Sequence, residues 1–236
     1  MNLPLNQPAD LHDTHADARY NMVEQQIRPW NLSDERVLQA LALVRREDFV
    51  PPAYHGMAFA DVEIPLSQPS EQAARLGQVM LAPRVDARLV QELQLQPTDR
   101  VLEIGAGSGY MAALMACLAE HVTALELEPE LVEFARENLR SAGIRNADVR
   151  QGDGARDPIP DGPFDCIVLS GSVAELPTRL LQLLRDGGRL VAIVGREPMM
   201  RATVVRRSGD RFETRQPFDV IVPRLRHFAE PSTFRF

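Results

Sequence analysis

The chain of 236 residues contains no lysine, and all 26 of its lysine-or-arginine positions are arginine. Without lysine the protein has no side-chain amine for Schiff-base chemistry and no lysine for a phosphate-binding P-loop. Cysteine is scarce as well, and both copies, Cys117 and Cys166, lie in apolar segments. Two such thiols do not make a disulfide framework, so the composition indicates a reducing compartment and a cytoplasmic protein.

Long apolar runs are missing too. No segment approaches the ~18 consecutive apolar residues needed to cross a bilayer, and the N-terminus lacks the cationic start and apolar core of a signal peptide. The formal charge of −7 argues against a nucleic-acid partner, which would require a basic face. The 44% of hydrophobic residues is typical of a globular protein. A chain of 236 residues is long enough to bury the core of one α/β domain.

The most informative segment that is present covers residues 101–110, with the sequence VLEIGAGSGY. An apolar strand runs into glycines at 105, 107 and 109, which let the backbone adopt positive φ and approach a ligand closely. A dinucleotide fingerprint reads G-x-G-x-x-G, whereas the third glycine here comes one residue early. The form E-x-G-x-G-x-G instead resembles the first motif of S-adenosylmethionine (SAM) methyltransferases, although a glycine turn alone can be a tight connection only.

Two further acids favour the cofactor interpretation. Glu126 ends the next strand, 121–126, at the distance where an acid accepts hydrogen bonds from ribose hydroxyls. Asp153 follows strand 147–151 within Gly152-Asp153-Gly154 and therefore reaches the same edge of a parallel sheet. The predicted cofactor-binding residues are Glu103, Gly105, Ala106, Gly107, Ser108, Gly109, Glu126, Leu127, Asp153 and Gly154. They predict a site for SAM, with S-adenosylhomocysteine as the product.

The alternation of strands and helices predicts an α/β fold with a doubly wound, mostly parallel, seven-stranded sheet. Ser208-Gly209-Asp210 indicates that the sheet ends in an antiparallel hairpin. We expect a flexible tail over 1–19 and a single domain over 20–236. Within that domain, 20–95 would supply N-terminal helices and an acceptor loop, and 96–236 the cofactor-binding sheet. Residues 49–83 are predicted to be an irregular binding loop.

No metal is expected, because the two tail histidines, His12 and His15, have no third ligand type clustered nearby.

From about Met22 to Leu225 the chain resembles the protein-L-isoaspartate O-methyltransferase family. The resemblance rests on REDFVP at 46–51, VLEIGAGSGY at 101–110, Gly152-Asp153-Gly154 and VPRL at 222–225. It implies a Rossmann-like SAM methyltransferase that modifies the carboxylate of damaged aspartyl residues in a protein or peptide. It further implies that Glu126 holds the ribose, Asp153 the adenine amine and the glycine turn the methionine moiety.

The acceptor loop departs from the family pattern. The family reads G-Q-T-I-S-x-P, where the serine hydroxyl lies beside the isoaspartyl carboxylate. The matching residues here are Gly77, Gln78, Val79, Met80, Leu81, Ala82 and Pro83. Leu81 cannot donate a hydrogen bond, which would slow isoaspartyl methylation by roughly two to three decades if the family mechanism is retained. Ser67-Gln68-Pro69 is an alternative, displaced version of the motif, so the catalytic residue stays unassigned.

Three functions stay open at this point. The chain can be an isoaspartyl or related carboxyl methyltransferase with an altered loop, or a SAM methyltransferase acting on another acceptor such as a small molecule. It can also be a SAM-binding protein without turnover. Composition and motifs do not separate the three, and they do not give the oligomeric state.

Overall fold

The computed structural model of the protein describes residues 15–230. Most of the predicted tail, including His12, lies outside this range. The first helix nevertheless begins at Ala16, before the predicted domain start at residue 20. Arg19 is buried there and forms an ion pair with Glu47, so residues 16–19 belong to the folded part of the chain. Because this short helix is largely polar, its sequence does not predict that it packs against the domain. The buried ion pair of Arg19 with Glu47 shows that it does.

Strands and helices alternate along the chain. The strands are β1 (Ile64–Pro65), β2 (Val79–Met80), β3 (Arg100–Ile104), β4 (His121–Glu126), β5 (Ala147–Gln151), β6 (Phe164–Val173), β7 (Leu184–Arg196), β8 (Met199–Ser208) and β9 (Arg211–Asp219). The α-helices are α1 (Ala16–Asn21), α2 (Glu35–Leu43), α3 (Ser70–Arg75), α4 (Pro83–Leu93), α5 (Tyr110–Ala116), α6 (Pro129–Ser141) and α7 (Thr178–Leu181). A π-helix over Met22–Ile27 and short 3₁₀ turns over Arg28–Trp30, Arg46–Phe49 and Pro52–Met57 complete the N-terminal part.

The main sheet of the described residues has seven strands in the order β5-β4-β3-β6-β7-β8-β9. The strands from β5 to β7 pair in parallel, and β8 and β9 pair antiparallel to their neighbours. The predicted doubly wound sheet with an antiparallel hairpin at its end is therefore confirmed. The observed bounds of β4 and β5 match the predicted strands 121–126 and 147–151.

Both faces of the parallel strands are buried. Val101 packs into a core shared with the N-terminal helices, whereas the next residue, Leu102, packs into a second core with α7. This alternation follows from the two-residue period of a strand, and burial on both sides is what a parallel sheet covered by helices requires. None of the helices within residues 15–230 is long and apolar enough to cross a membrane.

The predicted irregular loop over 49–83 is more ordered than expected. β1 and β2 pair as a small antiparallel ribbon, with Ile64 opposite Met80 and Pro65 opposite Val79. Helix α3 lies between the two strands in the sequence. Two-residue strands separated by a helix leave no periodic pattern, so hydrophobic periodicity could not predict this pairing.

Candidate functional site

A cavity opens at the carboxyl ends of β3, β4, β5 and β6, where the strand order of the sheet reverses between β3 and β6. Open α/β sheets bind their ligands at such a switch point. The lining residues come from the β1–β2 region, the strand ends and the C-terminal segment: Leu66, Leu76, Gly77, Gln78, Val79, Ile104, Gly105, Gly107, Leu125, Glu126, Leu127, Leu131, Gly152, Asp153, Gly154, Ser170, Arg224, Leu225, Arg226 and Phe228.

The glycine turn forms the floor of this cavity. Gly105 has φ of 91° and Gly107 has φ of 54°, a left-handed region that side chains disfavour. A Cβ atom on Gly105 would lie 2.9 Å from Cδ2 of Leu225, and one on Gly107 would lie 3.1 Å from Cδ1 of Leu66. Glycine is therefore required at both positions by conformation and by the close approach of other segments.

Glu126 is fixed at the end of β4 by three backbone amides. Its Oε2 accepts a hydrogen bond from the Gly107 amide at 2.9 Å, and Oε1 accepts from the amides of Leu127 at 2.8 Å and Glu128 at 3.1 Å. A carboxylate offers about four lone-pair sites, so roughly one stays available to a ligand hydroxyl in the cavity. The side chain also ties the glycine turn to the start of α6.

Asp153 lies across the cavity under the C-terminal segment. Its Oδ1 accepts from the Ala155 amide at 3.0 Å, and its Oδ2 lies 2.7 Å from Nδ1 of His227. The neighbouring Arg226 forms an ion pair with Glu128. These two contacts fasten residues 226–227 over the acids that follow β4 and β5.

Glu103 lies beneath the cavity instead of in its wall. It is fully buried, and its Oε1 accepts a 2.6 Å hydrogen bond from the Ser170 hydroxyl, which does line the cavity. Burial raises the pKa of Glu103 to about 8, and the negative charges of Asp86 and Glu126 act in the same direction. The prediction that Glu103 binds cofactor directly therefore needs correction, because the β-strand alternation turns this side chain into the core.

The raised pKa of Glu103 predicts how stability depends on pH. Between its ordinary pKa of 4.5 and about 8 the folded protein holds a proton that the unfolded chain releases. The free energy of unfolding should therefore fall as pH rises through this window, by at most about 1.4 kcal/mol per pH unit. Glu103→Gln, which keeps an acceptor for Ser170, should flatten this dependence in urea titrations between pH 5 and 8. An unchanged slope would show that Glu103 titrates normally.

The structure divides the predicted acceptor residues into two groups. Gly77, Gln78 and Val79 line the cavity together with the glycine turn. Met80 and Leu81 are buried in the hydrophobic core, with 4% and 5% of their surfaces exposed. The side chain that replaces the family serine therefore packs inside the protein.

A buried arginine holds the backbone of this segment. Arg46 is fully buried and donates hydrogen bonds to the carbonyls of Ala58 at 2.9 Å and Leu81 at 3.1 Å. Its guanidinium also lies 3.8 Å from the carboxylate of Asp86 and 5.3 Å from the ring centroid of Tyr110. Arg46 thus joins the two segments that flank β1 and β2.

Comparisons with known proteins agree with this arrangement. The family model described as protein-L-isoaspartate(D-aspartate) O-methyltransferase matches residues 17–223. The chain belongs to this family. A protein-L-isoaspartate O-methyltransferase of Methanoculleus marisnigri is 41% identical over 197 residues, which cover 83% of this chain and 86% of the relative. The enzyme of the same name from Koribacter versatilis is 37% identical over 195 residues, covering 83% and 84% of the two chains.

A solved structure shares the fold. The Plasmodium falciparum putative protein-L-isoaspartate O-methyltransferase, in complex with S-adenosyl-L-homocysteine, superposes with a TM-score of 0.71 at 22% identity. The match covers 89% of this chain and 96% of the other. At that identity the likeness supports the family fold and says nothing about individual side chains.

The cavity has the chemistry that this family's cofactor requires. Two carboxylates, Glu126 and Asp153, line the cavity and carry hydrogen-bond acceptors. Ile104, Leu125 and Leu127 form an apolar part of its wall. Of the other predicted cofactor residues, Gly105, Gly107 and Gly154 also reach the cavity, whereas Ala106, Ser108 and Gly109 do not line it.

Sequence reasoning missed the C-terminal wall of the site. Leu225, Arg226 and Phe228 line the cavity although they follow the sheet by several residues. The VPRL motif at 222–225 is part of the resemblance to the family. Its four residues do not indicate that this segment packs against the carboxyl ends of the strands.

Proposed function

We propose that the protein is a SAM-dependent O-methyltransferase that methylates the carboxylate of isoaspartyl residues in damaged proteins and peptides. One observation carries the proposal: a single cavity joins the glycine turn, Glu126 and Asp153 to the acceptor residues Gly77, Gln78 and Val79. A methyl donor and its acceptor must meet in such a shared space. The family membership, supported by curated relatives over most of the chain, favours this acceptor.

The chain's own residues have a limited set of tasks in this reaction. Bound SAM supplies a methyl group activated on a sulfonium. Glu126 and Asp153 would hold the nucleoside, and the Gly105–Gly107 backbone would lie beside the methionine moiety. A carboxylate acceptor is already ionised at pH 7, so no strong general base is needed. Rate then depends on how well residues 77–79 align the acceptor and exclude water.

Successive parts of the chain form the acceptor side and the cofactor side of the proposed site. We infer that residues 20–95 form the acceptor side, since Gln78 and its neighbours lie there, and that 96–236 form the cofactor side. We also propose that the protein acts in the cytoplasm, which the free thiols of Cys117 and Cys166 favour.

The apolar acceptor edge made by Leu66, Leu76 and Val79 favours a second candidate function, SAM-dependent methyl transfer to a less polar small molecule.

Transfer of labelled methyl from SAM to a synthetic isoaspartyl peptide tests the proposal. The matched control is the same peptide with a normal aspartyl residue, and calorimetry with S-adenosylhomocysteine reports cofactor binding independently. We expect base-labile label in the isoaspartyl peptide alone. Tight binding of S-adenosylhomocysteine without labelling of that peptide would contradict the acceptor assignment.

Replacing Leu81 by the serine of the family pattern should not increase isoaspartyl methylation. Because Leu81 is buried in the core, Leu81→Ser removes apolar contacts and buries a hydroxyl, which should cost about 2–4 kcal/mol of unfolding free energy. We expect isoaspartyl methylation by the folded variant to stay at or below the wild-type rate. A gain in that rate would show that side chain 81 faces the acceptor.

A further inference from the structure

Gln78 brings hydrogen-bond donors to the cavity wall formed by residues 77–79. Its neighbours Gly77 and Val79 line the same wall but have no polar side chain. The Gln78 amide has two N–H donors on Nε2 and an acceptor, Oε1. Among residues 15–230 the Gln78 Nε2 has no hydrogen-bond partner, whereas Oε1 accepts from the Ser67 hydroxyl. The donors are therefore available to a ligand.

Ser67 reaches Gln78 through the β1–β2 ribbon. The ribbon continues past Pro65 and Val79 with a 2.9 Å hydrogen bond from the Leu66 amide to the Gln78 carbonyl. At the next position the Ser67 hydroxyl donates to Gln78 Oε1 over 2.5 Å. Ser67 lies too far from the glycine motif in sequence to be a simple displacement of the family serine, yet strand pairing places it beside the acceptor wall.

This hydrogen bond decides which end of the Gln78 amide a ligand meets. Ser67 has a hydroxyl proton to donate and occupies the amide oxygen, so the Nε2 end is left for other partners. An anionic carboxylate is attracted by these N–H groups and repelled by the oxygen. Gln68, the residue after Ser67, is unavailable for the same task because its Nε2 donates to the Tyr54 hydroxyl at 2.7 Å.

We propose that Gln78 binds the acceptor carboxylate through Nε2 and that Ser67 is the positioning residue that fixes its amide. Together they replace the hydroxyl that Leu81 lacks. The inference rests on the proposed function, because it takes a carboxylate as the acceptor. It adds a residue pair that the family pattern of the acceptor loop does not contain, since Ser67 lies outside that loop.

The test compares Ser67→Ala, Gln78→Leu and the double variant with wild type, by kcat and KM for an isoaspartyl peptide and by S-adenosylhomocysteine affinity. Gln78→Leu should lower kcat/KM about 10- to 100-fold, the loss of a hydrogen bond to a charged group. Ser67→Ala should lower it about 3- to 10-fold, mainly through KM, because the freed amide presents its oxygen part of the time. The double variant should match Gln78→Leu, because Ser67 acts only through Gln78.

Conservative and distant substitutions serve as controls. Ser67→Thr keeps the hydroxyl and should retain most activity, and Gln72→Leu changes an exposed glutamine of α3 and should leave the kinetics unchanged. S-adenosylhomocysteine affinity should stay within about twofold of wild type in every variant, which a general loss of structure would not allow.

Three outcomes would overturn the inference. Multiplicative losses in the double variant would show that the two residues act independently. A parallel loss of S-adenosylhomocysteine affinity would assign Gln78 to the cofactor. Wild-type kinetics in both single variants would remove the pair from the acceptor site while leaving the proposed function intact. A wild-type enzyme that binds S-adenosylhomocysteine but methylates no isoaspartyl peptide would instead defeat the proposed function, and this inference with it.

Discussion

Replacing Glu126 by alanine should lower the affinity for S-adenosylhomocysteine about 100-fold or more. One hydrogen bond from a ligand hydroxyl to a carboxylate is worth about 1.5–3 kcal/mol, which corresponds to roughly 10- to 100-fold. The variant also releases the Gly107 amide, which Glu126 holds at 2.9 Å, so the floor of the cavity loses its anchor. Isothermal titration calorimetry of purified protein measures the change directly.

Two variants make this result specific. Glu130→Ala removes an exposed carboxylate from the first turn of α6 and should bind S-adenosylhomocysteine like wild type. Glu126→Gln keeps an acceptor oxygen and should lie between the two. If Glu126→Ala bound the ligand with wild-type affinity while remaining folded, Glu126 would not belong to the cofactor site.

Replacing Arg46 by methionine should destabilise the protein by about 3–5 kcal/mol. The guanidinium is fully buried, bonds the carbonyls of Ala58 and Leu81, and faces the carboxylate of Asp86. Removing one partner of a buried ion pair leaves the other charge without compensation. Urea unfolding followed by circular dichroism at pH 7 checks the expected loss.

The stability of the Arg46→Met variant should also depend on pH differently from that of the wild type. Burial already raises the pKa of Asp86 to about 7, and Arg46 opposes that rise. Without Arg46 the pKa of Asp86 should rise further, so the Asp86 carboxyl of the folded protein would stay protonated up to a higher pH. The free energy of unfolding falls with rising pH as long as the folded protein keeps a proton that the unfolded chain releases. Arg46→Met should therefore lower this free energy more at pH 8 than at pH 5.

Arg45→Ala, at the exposed neighbouring position, should lower the free energy of unfolding by less than about 1 kcal/mol. Equal losses for the two variants would contradict the buried role of Arg46.

The grouping of the predicted cofactor residues at one edge of the sheet was predictable because its signals are local. Glu126 is the last residue of β4, Gly105 and Gly107 follow β3, and Asp153 follows β5; parallel strands end at one edge of the sheet. These four residues accordingly line one cavity. Glu103 is the exception, because one residue along a strand reverses the side chain, and its burial raises its pKa.

The acceptor half depends on contacts between segments distant in sequence. The pairing of β1 with β2 spans helix α3, and it brings Ser67 to Gln78. The C-terminal segment reaches the cavity through an ion pair of Arg226 with Glu128 and a 2.7 Å contact of His227 Nδ1 with Asp153 Oδ2, acids 98 and 74 residues earlier. Neither pairing produces a periodic pattern, so the family motif could place Leu81 in a loop but could not show that it faces the core.

Single-turnover mass spectrometry tests the central claim most directly. Enzyme, SAM and a peptide with one isoaspartyl and one normal aspartyl residue are mixed and quenched in acid, and fragmentation locates any added methyl group. The account predicts one methyl ester, on the isoaspartyl carboxylate. An unmodified peptide from an enzyme that binds S-adenosylhomocysteine, or an ester on the normal aspartyl residue alone, would contradict it.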